Sequence, residues 1–578
     1  TTFVIDYASQ DKGGHTLKEG LDKWHKKADD KCSCDYSFHM SIVEWNENTE
    51  QEIQDMIDHG ITSFKLYMTY PAMIVNDCDM YKILKKLGKC GCFAGVHCEN
   101  AGVIDALIAE AKKREMYILM DLVVNHCSDE HEWFQQAIKD PDGKYGNFFY
   151  IRDKKDDKAP CNWRSYFGGP VWEELPGHPD KQYLHVFHKK QPDLNWENPE
   201  VREEVYKNIR WWMEKGLGGF RIDAIINIKK KLPFSDYPAD RADGLCSVER
   251  MLEEAEGIGE FLGEMAEKCF HPYDAFTVGE VFNEKEDEIK DFIGENGYFS
   301  SMFDFEETCY GKSEDGWYAS KPYLTPEEYK KCIFHTQKKI GDTGMISNII
   351  ENHDEPRGVC HYISPEDRCP DSRKLLAGVY FLLKGIPFIY QGQELGMTNT
   401  NFDSMDDVRD VESINFYNKL VAKGKKPEKA LRIINGGSRD HGRTPMQWTA
   451  EPGAGFTDGT PWIGINKNAV RVNAADEAKV PDSVLNDFKR LIALRHANPA
   501  LVYGEFTQLC PEDKNVVCYK RTLDGNTFFV ELNLTGKRQN RPCDPVAFER
   551  LYSNYHDHRD VLMPFEANVY LAEGEAKA

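Results

Sequence analysis

Asp223 and Glu280 each follow a short apolar run, in GFRIDAI (Gly219 to Ile225) and FTVGEVF (Phe276 to Phe282). Two further runs deliver polar groups in the same way: DLVVNH brings Asp121 and His126, and ENHDEPR brings Glu351, His353 and Asp354. A retaining glycosidase needs a carboxylate nucleophile on one side of a sugar and a protonated carboxyl on the other, about 5 to 5.5 Å apart. Asp223 suits the first role. Arg221 lies two residues earlier, so on an extended strand both side chains point to one face, where a guanidinium would keep the carboxylate ionised. Glu280 suits the second role, because the uncharged run before it and neighbouring carboxylates should raise its pKa and leave a proton to donate. Asp354 is expected to stabilise the positive charge of an oxocarbenium-like transition state, with His126 and His353 hydrogen-bonding sugar hydroxyls. A single strand-end Asp is more often a helix cap or an ion-pair partner; the four runs in order carry the catalytic reading.

Such groups must be held by strands that end at one level. From about residue 105 apolar β-like runs alternate with amphipathic helical stretches. Tyr117 to Met120, Gly218 to Ile222, Ala275 to Gly279, Tyr298 to Phe303, Ile346 to Ile350 and Ile386 to Tyr390 read as six strands. Strands alternating with helices predict parallel pairing. In a parallel β/α barrel all strand C-termini open on one face, so distant residues converge. The segment from Cys127 to Lys190, rich in Asp, Lys, Gly, Pro and aromatics, is too long for a simple loop and predicts a small inserted domain, about 127–190. After about residue 497, short alternating runs (Val516 to Lys520, Thr527 to Leu534, Ala567 to Leu571) predict an antiparallel β domain. The expected class is α/β, a TIM-type (β/α)8 barrel with atypical N-terminal strands, an inserted small domain and a C-terminal β-sandwich. The expected division is 1–105, 106–496 and 497–578.

Composition narrows the ligand. Of 578 residues, 41% are hydrophobic and 12% aromatic, ordinary for a globular chain. A formal charge of −24 disfavours nucleic acid and anionic membrane surfaces, leaving a small neutral substrate as the expected partner. The longest apolar run, Leu375 to Tyr390, is interrupted by Lys384 and reads as a buried helix followed by a strand. No signal peptide is read, and the chain opens on Thr1, as a fragment would. Seventeen cysteines scattered over so long a chain suggest reduced thiols and a cytoplasmic setting.

DLVVNH, GFRIDAI, TVGEVF and ENHDEPR resemble the four signature regions of glycoside hydrolase family 13, the α-amylase family, and QPDLNWENPEVR (Gln191 to Arg202) is similar to its fifth. SRDHGRTPMQW (Ser438 to Trp448) and the following GFTDGTPW resemble the oligo-1,6-glucosidase and α-glucosidase subgroup. The resemblance runs from about residue 105 to the C-terminus. It implies Asp223 as nucleophile, Glu280 as acid and base, and Asp354 as transition-state stabiliser. It implies a first sugar site lined by Asp121, His126, Arg221 and His353, with Arg443 gripping the non-reducing end. It also implies exo-cleavage of short α-glucosides, α-1,4 or α-1,6. No cofactor or metal is expected, since the calcium-binding stretch of that family is not visible in the first hundred residues. Ala224 stands where many members prefer Val for α-1,6 substrates; a small residue weakens that preference, or is ordinary close packing at a strand end.

The first hundred residues depart from that pattern. TTFVIDYA, CDYSFHMSIVEW, GITSFKLYMTY and VHCENAGVIDAL resemble dihydropyrimidinases and hydantoinases, and by position Lys65, Tyr70 and His97 match that family's bridging lysine, substrate-side tyrosine and a metal ligand. A two-metal site needs several His and Asp ligands, and Lys65 and His97 alone do not supply them, so amidohydrolase activity is not expected. Cys90, Cys92 and Cys98 are expected as buried thiols. If SFKLYMTY and CFAGVHCEN replace the missing barrel strands, they belong in the sheet that contains Asp121. The expectation that competes with an active glucosidase is an inactive sugar-binding or misassembled relic of one.

Overall fold

A computed structural model describes residues 3–70, 72–98, 100–154, 158–281, 288–306, 310, 318, 323–543, 548–557 and 560–572. Phe282, the end of the FTVGEVF run, lies outside them. The chain divides into two compact units, one of residues 1–118 with 214–217, the other of residues 119–213 with 218–578.

The first unit repeats strand and helix four times. Phe3–Ser9, Asp35–Ser41, Ser63–Tyr67 and Phe93–His97 lie side by side in that order, all parallel. The helix Leu17–Ala28 starts where Thr16 and Glu19 cap one another's backbone N–H groups, and it buries Leu17 and Leu21. Phe38, Met40, Phe64 and Leu66 from the strands pack with Leu21, Ile53, Met56, Ile83 and Leu87 from the helices. This apolar core holds SFKLY and FAGVH among their own neighbours. The expectation that these runs join the sheet containing Asp121 therefore fails: among the described residues, neither pairs with it. The buried-thiol expectation fails too, since Cys98 is exposed and Cys90 and Cys92 are half-buried at loop positions.

The second unit contains all six strands read from the sequence. Leu119–Val123, Gly219–Asp223, Phe276–Gly279 and Ser301–Met302 are consecutive neighbours in one parallel sheet. A parallel bridge from Phe303 to Ser347 leads to the pair Ser347–Asn348 and Ile386–Pro387. Phe220, Ile222 and Val278 are fully buried, as strands covered on both faces require. Gly219 permits the closest approach: a Cβ there would stand 1.7 Å from the Phe276 carbonyl oxygen.

Between the first two of these strands, Ile151–Asp153, Trp172–Leu175 and His178–Leu184 form an antiparallel sheet. Trp163–Arg164 pairs instead with Cys246–Ser247, so the excursion draws on a later segment that the sequence did not reveal. Near the C-terminus Glu505–Leu509, Val516–Leu523, Asn526–Asn533, Ala567–Ala572 and Phe548–Ser553 make a five-stranded antiparallel sheet. Its central hairpin turns on Asp524 and Gly525, both at positive φ, the conformation a two-residue Asp-Gly turn supplies. Val517, Tyr519, Phe528, Val530 and Val569 pack with Leu375, Tyr380 and Phe381 of the helix Pro370–Leu382, the buried helix expected there. The uniform reading of the cysteines as reduced thiols needs correction: Cys510 and Cys543 are disulfide-bonded. Adjacent loop ends bring that pair together, which spacing along the chain does not show. No helix among the described residues is long and apolar enough to cross a membrane.

Candidate active site

Parallel register builds the site. Arg221 is level with Asp121 on one side and Val278 on the other, and Asp223 is level with Val123. The Glu280 backbone N–H donates to the Ile222 carbonyl at 3.0 Å, which places Glu280 beside Asp223 one strand away. Arg221 Nη1 donates to Asp121 Oδ1 at 2.8 Å and to Asp223 Oδ1 at 2.5 Å. Its Nη2 lies 2.7 Å from Glu280 Oε1. The carboxyl groups of Asp223 and Glu280 are thus separated by no more than two hydrogen bonds and the width of one guanidinium.

Glu280 accepts a second hydrogen bond at Oε2, from the Ala224 N–H at 2.9 Å. Ala224 donates from a left-handed conformation, φ 43°, buried directly after Asp223. Burial raises the Glu280 pKa most; Arg221 and the Ala224 N–H oppose this, the charges of Asp223 and Asp354 add to it, and the result is about 7. Burial alone would also weaken the hold of Arg221 on its proton, but Glu280, Asp121 and Asp223 outweigh it and keep the guanidinium above its ordinary range.

The ENHDEPR loop is clamped from beneath. Arg357, almost fully buried, pairs with Glu351 at 3.2 Å and donates to the Gln391 carbonyl at 2.7 Å. Above this clamp, Asp354 Oδ1 accepts from Arg443 Nη2 at 2.8 Å and Arg439 Nη1 at 3.1 Å, and Oδ2 lies 3.2 Å from His353 Nε2. Burial would raise the Asp354 pKa, but His353, Arg439 and Arg443 overcome it and hold the carboxyl well below the usual range. The bond to Asp354 raises the His353 pKa in return, against its partial burial. Arg443 Nε also donates to the His353 carbonyl at 2.8 Å.

His126, three residues beyond the strand Leu119–Val123, is largely buried. Its Nε2 lies 2.9 Å from Gln191 Nε2, and its ring centroid is 5.2 Å from that of Phe187. Desolvation lowers its pKa, so the ring is neutral near pH 7. The residues expected at the site are therefore gathered around Arg221 and Asp354, with His126 held by its own neighbours.

Arg439, Asp193 and Lys230 escaped the sequence reading. Arg439 reaches both Asp354 and Asp410, the latter with Nε at 3.0 Å and Nη2 at 2.7 Å; it stands in the SRDHGRTPMQW run, four residues before Arg443. Asp193 and Lys230 form a fully buried ion pair at 2.7 Å. Lys230 Nζ also donates to Asn125 Oδ1 at 2.9 Å and to the Asn227 carbonyl, tying the segments after Asp121 and Asp223 together. Nothing in the spacing of Lys230 marks it; only its burial does. In the first unit, Tyr67, Tyr70 and His97 form mutual ring contacts of 5.4 to 6.0 Å, with Lys65 Nζ 5.3 Å from the Tyr67 ring centroid.

Residues 99–504 match the family model described as Alpha amylase, catalytic domain. The probable oligo-1,6-glucosidase 3 of Bacillus subtilis (strain 168) is 38% identical over 477 residues, covering 81% of this chain and 85% of that relative. Among solved structures, the trehalose-6-phosphate hydrolase of Bacillus licheniformis superposes with a TM-score of 0.76 at 30% identity, covering 99% of both chains. Isomaltulose synthase from Klebsiella sp. LX3 gives a TM-score of 0.75 at 30% identity, covering 99% of this chain and 98% of its own. The fold is accordingly the family's β/α barrel with a C-terminal antiparallel sheet. By the match over its catalytic domain and the identity to its relatives, this chain belongs to the α-amylase family of glycoside hydrolases.

Proposed function

We propose that this chain hydrolyses α-glucosidic bonds in short oligosaccharides, α-1,4 or α-1,6, from the non-reducing end and with retention at the anomeric carbon. The names of its relatives support an α-glucosidase type of activity. One observation carries the mechanism: a single guanidinium contacts both Asp223 and Glu280, while burial and nearby negative charge bring Glu280 to a pKa of about 7. Two carboxyls in adjoining places, one holding a proton at neutral pH, are what double displacement needs. Asp223 attacks the anomeric carbon and Glu280 passes its proton to the leaving oxygen. Water then attacks the glucosyl-enzyme ester, giving its proton to Glu280 as the bond to Asp223 breaks. Asp354, held ionised, faces the positive charge that develops in both steps. Arg439 and Arg443 orient it.

The test is hydrolysis of p-nitrophenyl α-glucoside, maltose and isomaltose by purified, monodisperse protein. The wild type should release α-glucose first, and Asp223→Asn should lower kcat by at least about 10⁴-fold. Azide added to Asp223→Ala should yield β-glucosyl azide, because the small anion fills the space of the lost nucleophile. A folded wild type without hydrolysis, or hydrolysis undiminished in Asp223→Asn, overturns the reading.

A further inference from the structure

The C-terminal sheet holds a group of side chains that sugar cleavage does not use. Cys510, Cys518 and Cys543 present sulfur atoms within 4.8 Å of one another. Cys510 and Cys543 are bonded across 33 residues of sequence, and the thiol of Cys518 beside them is free and buried. Cys518 lies within the strand Val516–Leu523, where antiparallel register sets it opposite Leu509 on one side and Glu531 on the other. Directly opposed residues share a face of the sheet, with Cβ atoms about 4.5–5.5 Å apart. Glu531 is fully buried. Arg541 and Asn568 both donate to its Oε2, while among the described residues its Oε1 accepts no hydrogen bond. A buried carboxylate oxygen without a partner is uncommon, and a bound ion is one of the things that accounts for it.

We propose that, once the Cys510–Cys543 bond is reduced, Cys510, Cys518, Cys543 and Glu531 bind one Zn²⁺ through three sulfur atoms and one carboxylate oxygen. Zinc takes thiolates at about 2.3 Å and carboxylate oxygen at about 2.0–2.2 Å in a tetrahedron, which spaces the sulfurs by about 3.8 Å. The three sulfurs lie within 4.8 Å of one another, two of them bonded, so reduction lets that pair open to this spacing while Glu531, outside that group, turns its Oε1 toward the ion. Charge closes as well. Three thiolates and a carboxylate bring four negative charges, the ion two positive ones, and Lys330 and Arg541 the remaining two. Lys330 Nζ is held by the main-chain carbonyls of Cys510 at 2.8 Å, Asp513 at 2.5 Å and Val516 at 2.9 Å, so its charge sits against the loop that carries the cluster.

Disulfide and metal exclude each other. A dithiol reductant transfers two electrons and two protons to the Cys510–Cys543 bond and closes its own disulfide, after which Zn²⁺ displaces the three thiol protons. The ends of Glu505–Leu509, Val516–Leu523 and the segment at Cys543 are then tied together under reducing as well as oxidising conditions.

The full chain, reduced with dithiothreitol and freed of it under anaerobic conditions, is titrated with Co²⁺ and then Zn²⁺. One equivalent of Co²⁺ should give thiolate-to-cobalt charge-transfer absorption with the d–d bands of a tetrahedral site, and Zn²⁺ should abolish both. Cys518→Ser should weaken binding by at least about 100-fold, beyond what loss of an outer-shell partner costs. Cys78→Ser, altering an exposed thiol elsewhere, should bind as the wild type does. If Cys518→Ser does not fold, Cys543→Ser replaces it with the same expectation. Absence of a tetrahedral cobalt spectrum in the reduced wild type, or one that survives both substitutions, overturns the proposal.

Discussion

Arg221 Nη2 stands 2.7 Å from Glu280 Oε1, an ion pair that spans two adjacent parallel strands. The same guanidinium holds Asp121 and Asp223 through its other terminal nitrogen. One cation thus positions three carboxylates, yet Glu280 keeps a raised pKa because burial and two further carboxylates outweigh the arginine. The pair orients Glu280 without taking its proton at neutral pH.

A pH profile should show this. Glycosyl transfer from an unactivated disaccharide needs protonated Glu280, so kcat/KM should fall about tenfold per pH unit above about 7. A basic limb set several units higher would contradict the assignment.

Stability should carry the same signature. The folded pKa of Glu280 lies above the 4.5 of a free side chain, so between those values the folded state binds more protons and loses stability as pH rises. Glu280→Gln has no such proton to lose. Its unfolding free energy should gain on the wild type from pH 4.5 to 7, by up to about 3 kcal/mol, measured by urea unfolding across that range. A gap that does not change with pH would count against the shift.

Arg443 shares Asp354 Oδ1 with Arg439 and also supports the His353 carbonyl. Arg443→Ala should raise KM for short α-glucosides by about 10- to 100-fold, the loss of a charge-assisted hydrogen bond of roughly 1.5–3 kcal/mol. Arg439→Lys forfeits the fork that binds Asp410 and Asp354 together, so kcat should fall with it. Steady-state kinetics on maltose and isomaltose check both. Unchanged parameters would remove the arginines from the site.

Lys230→Met leaves the fully buried Asp193 carboxyl without its partner. It should cost about 3–5 kcal/mol, whereas Lys230→Met combined with Asp193→Leu should recover much of that loss. Denaturant unfolding midpoints decide it; a double variant no better than the single one would mean that the ion pair itself supplies the stability.

Much of this protein was legible in one dimension. Apolar runs gave away the strands bearing Asp121, Asp223 and Glu280, and the two-residue spacing of Arg221 and Asp223 implied the contact now seen at 2.5 Å. Local periodicity suffices there, because burial and side-chain direction follow from a strand's own pleat. The antiparallel C-terminal sheet was readable for the same reason.

Other features depend on which distant segments meet. SFKLY and FAGVH look like barrel strands by composition, yet SFKLY pairs with Asp35–Ser41 and FAGVH with SFKLY, because strand partners are settled by the core that neighbours share. Arg439 at Asp354, the buried Lys230–Asp193 pair and the meeting of Cys510, Cys518 and Cys543 have no sequence period at all. Sequence determined which side chains carry chemistry and which runs form strands. Tertiary structure alone decided the partner of each charge, since electrostatic energy depends on distance and burial in space and not on separation along the chain.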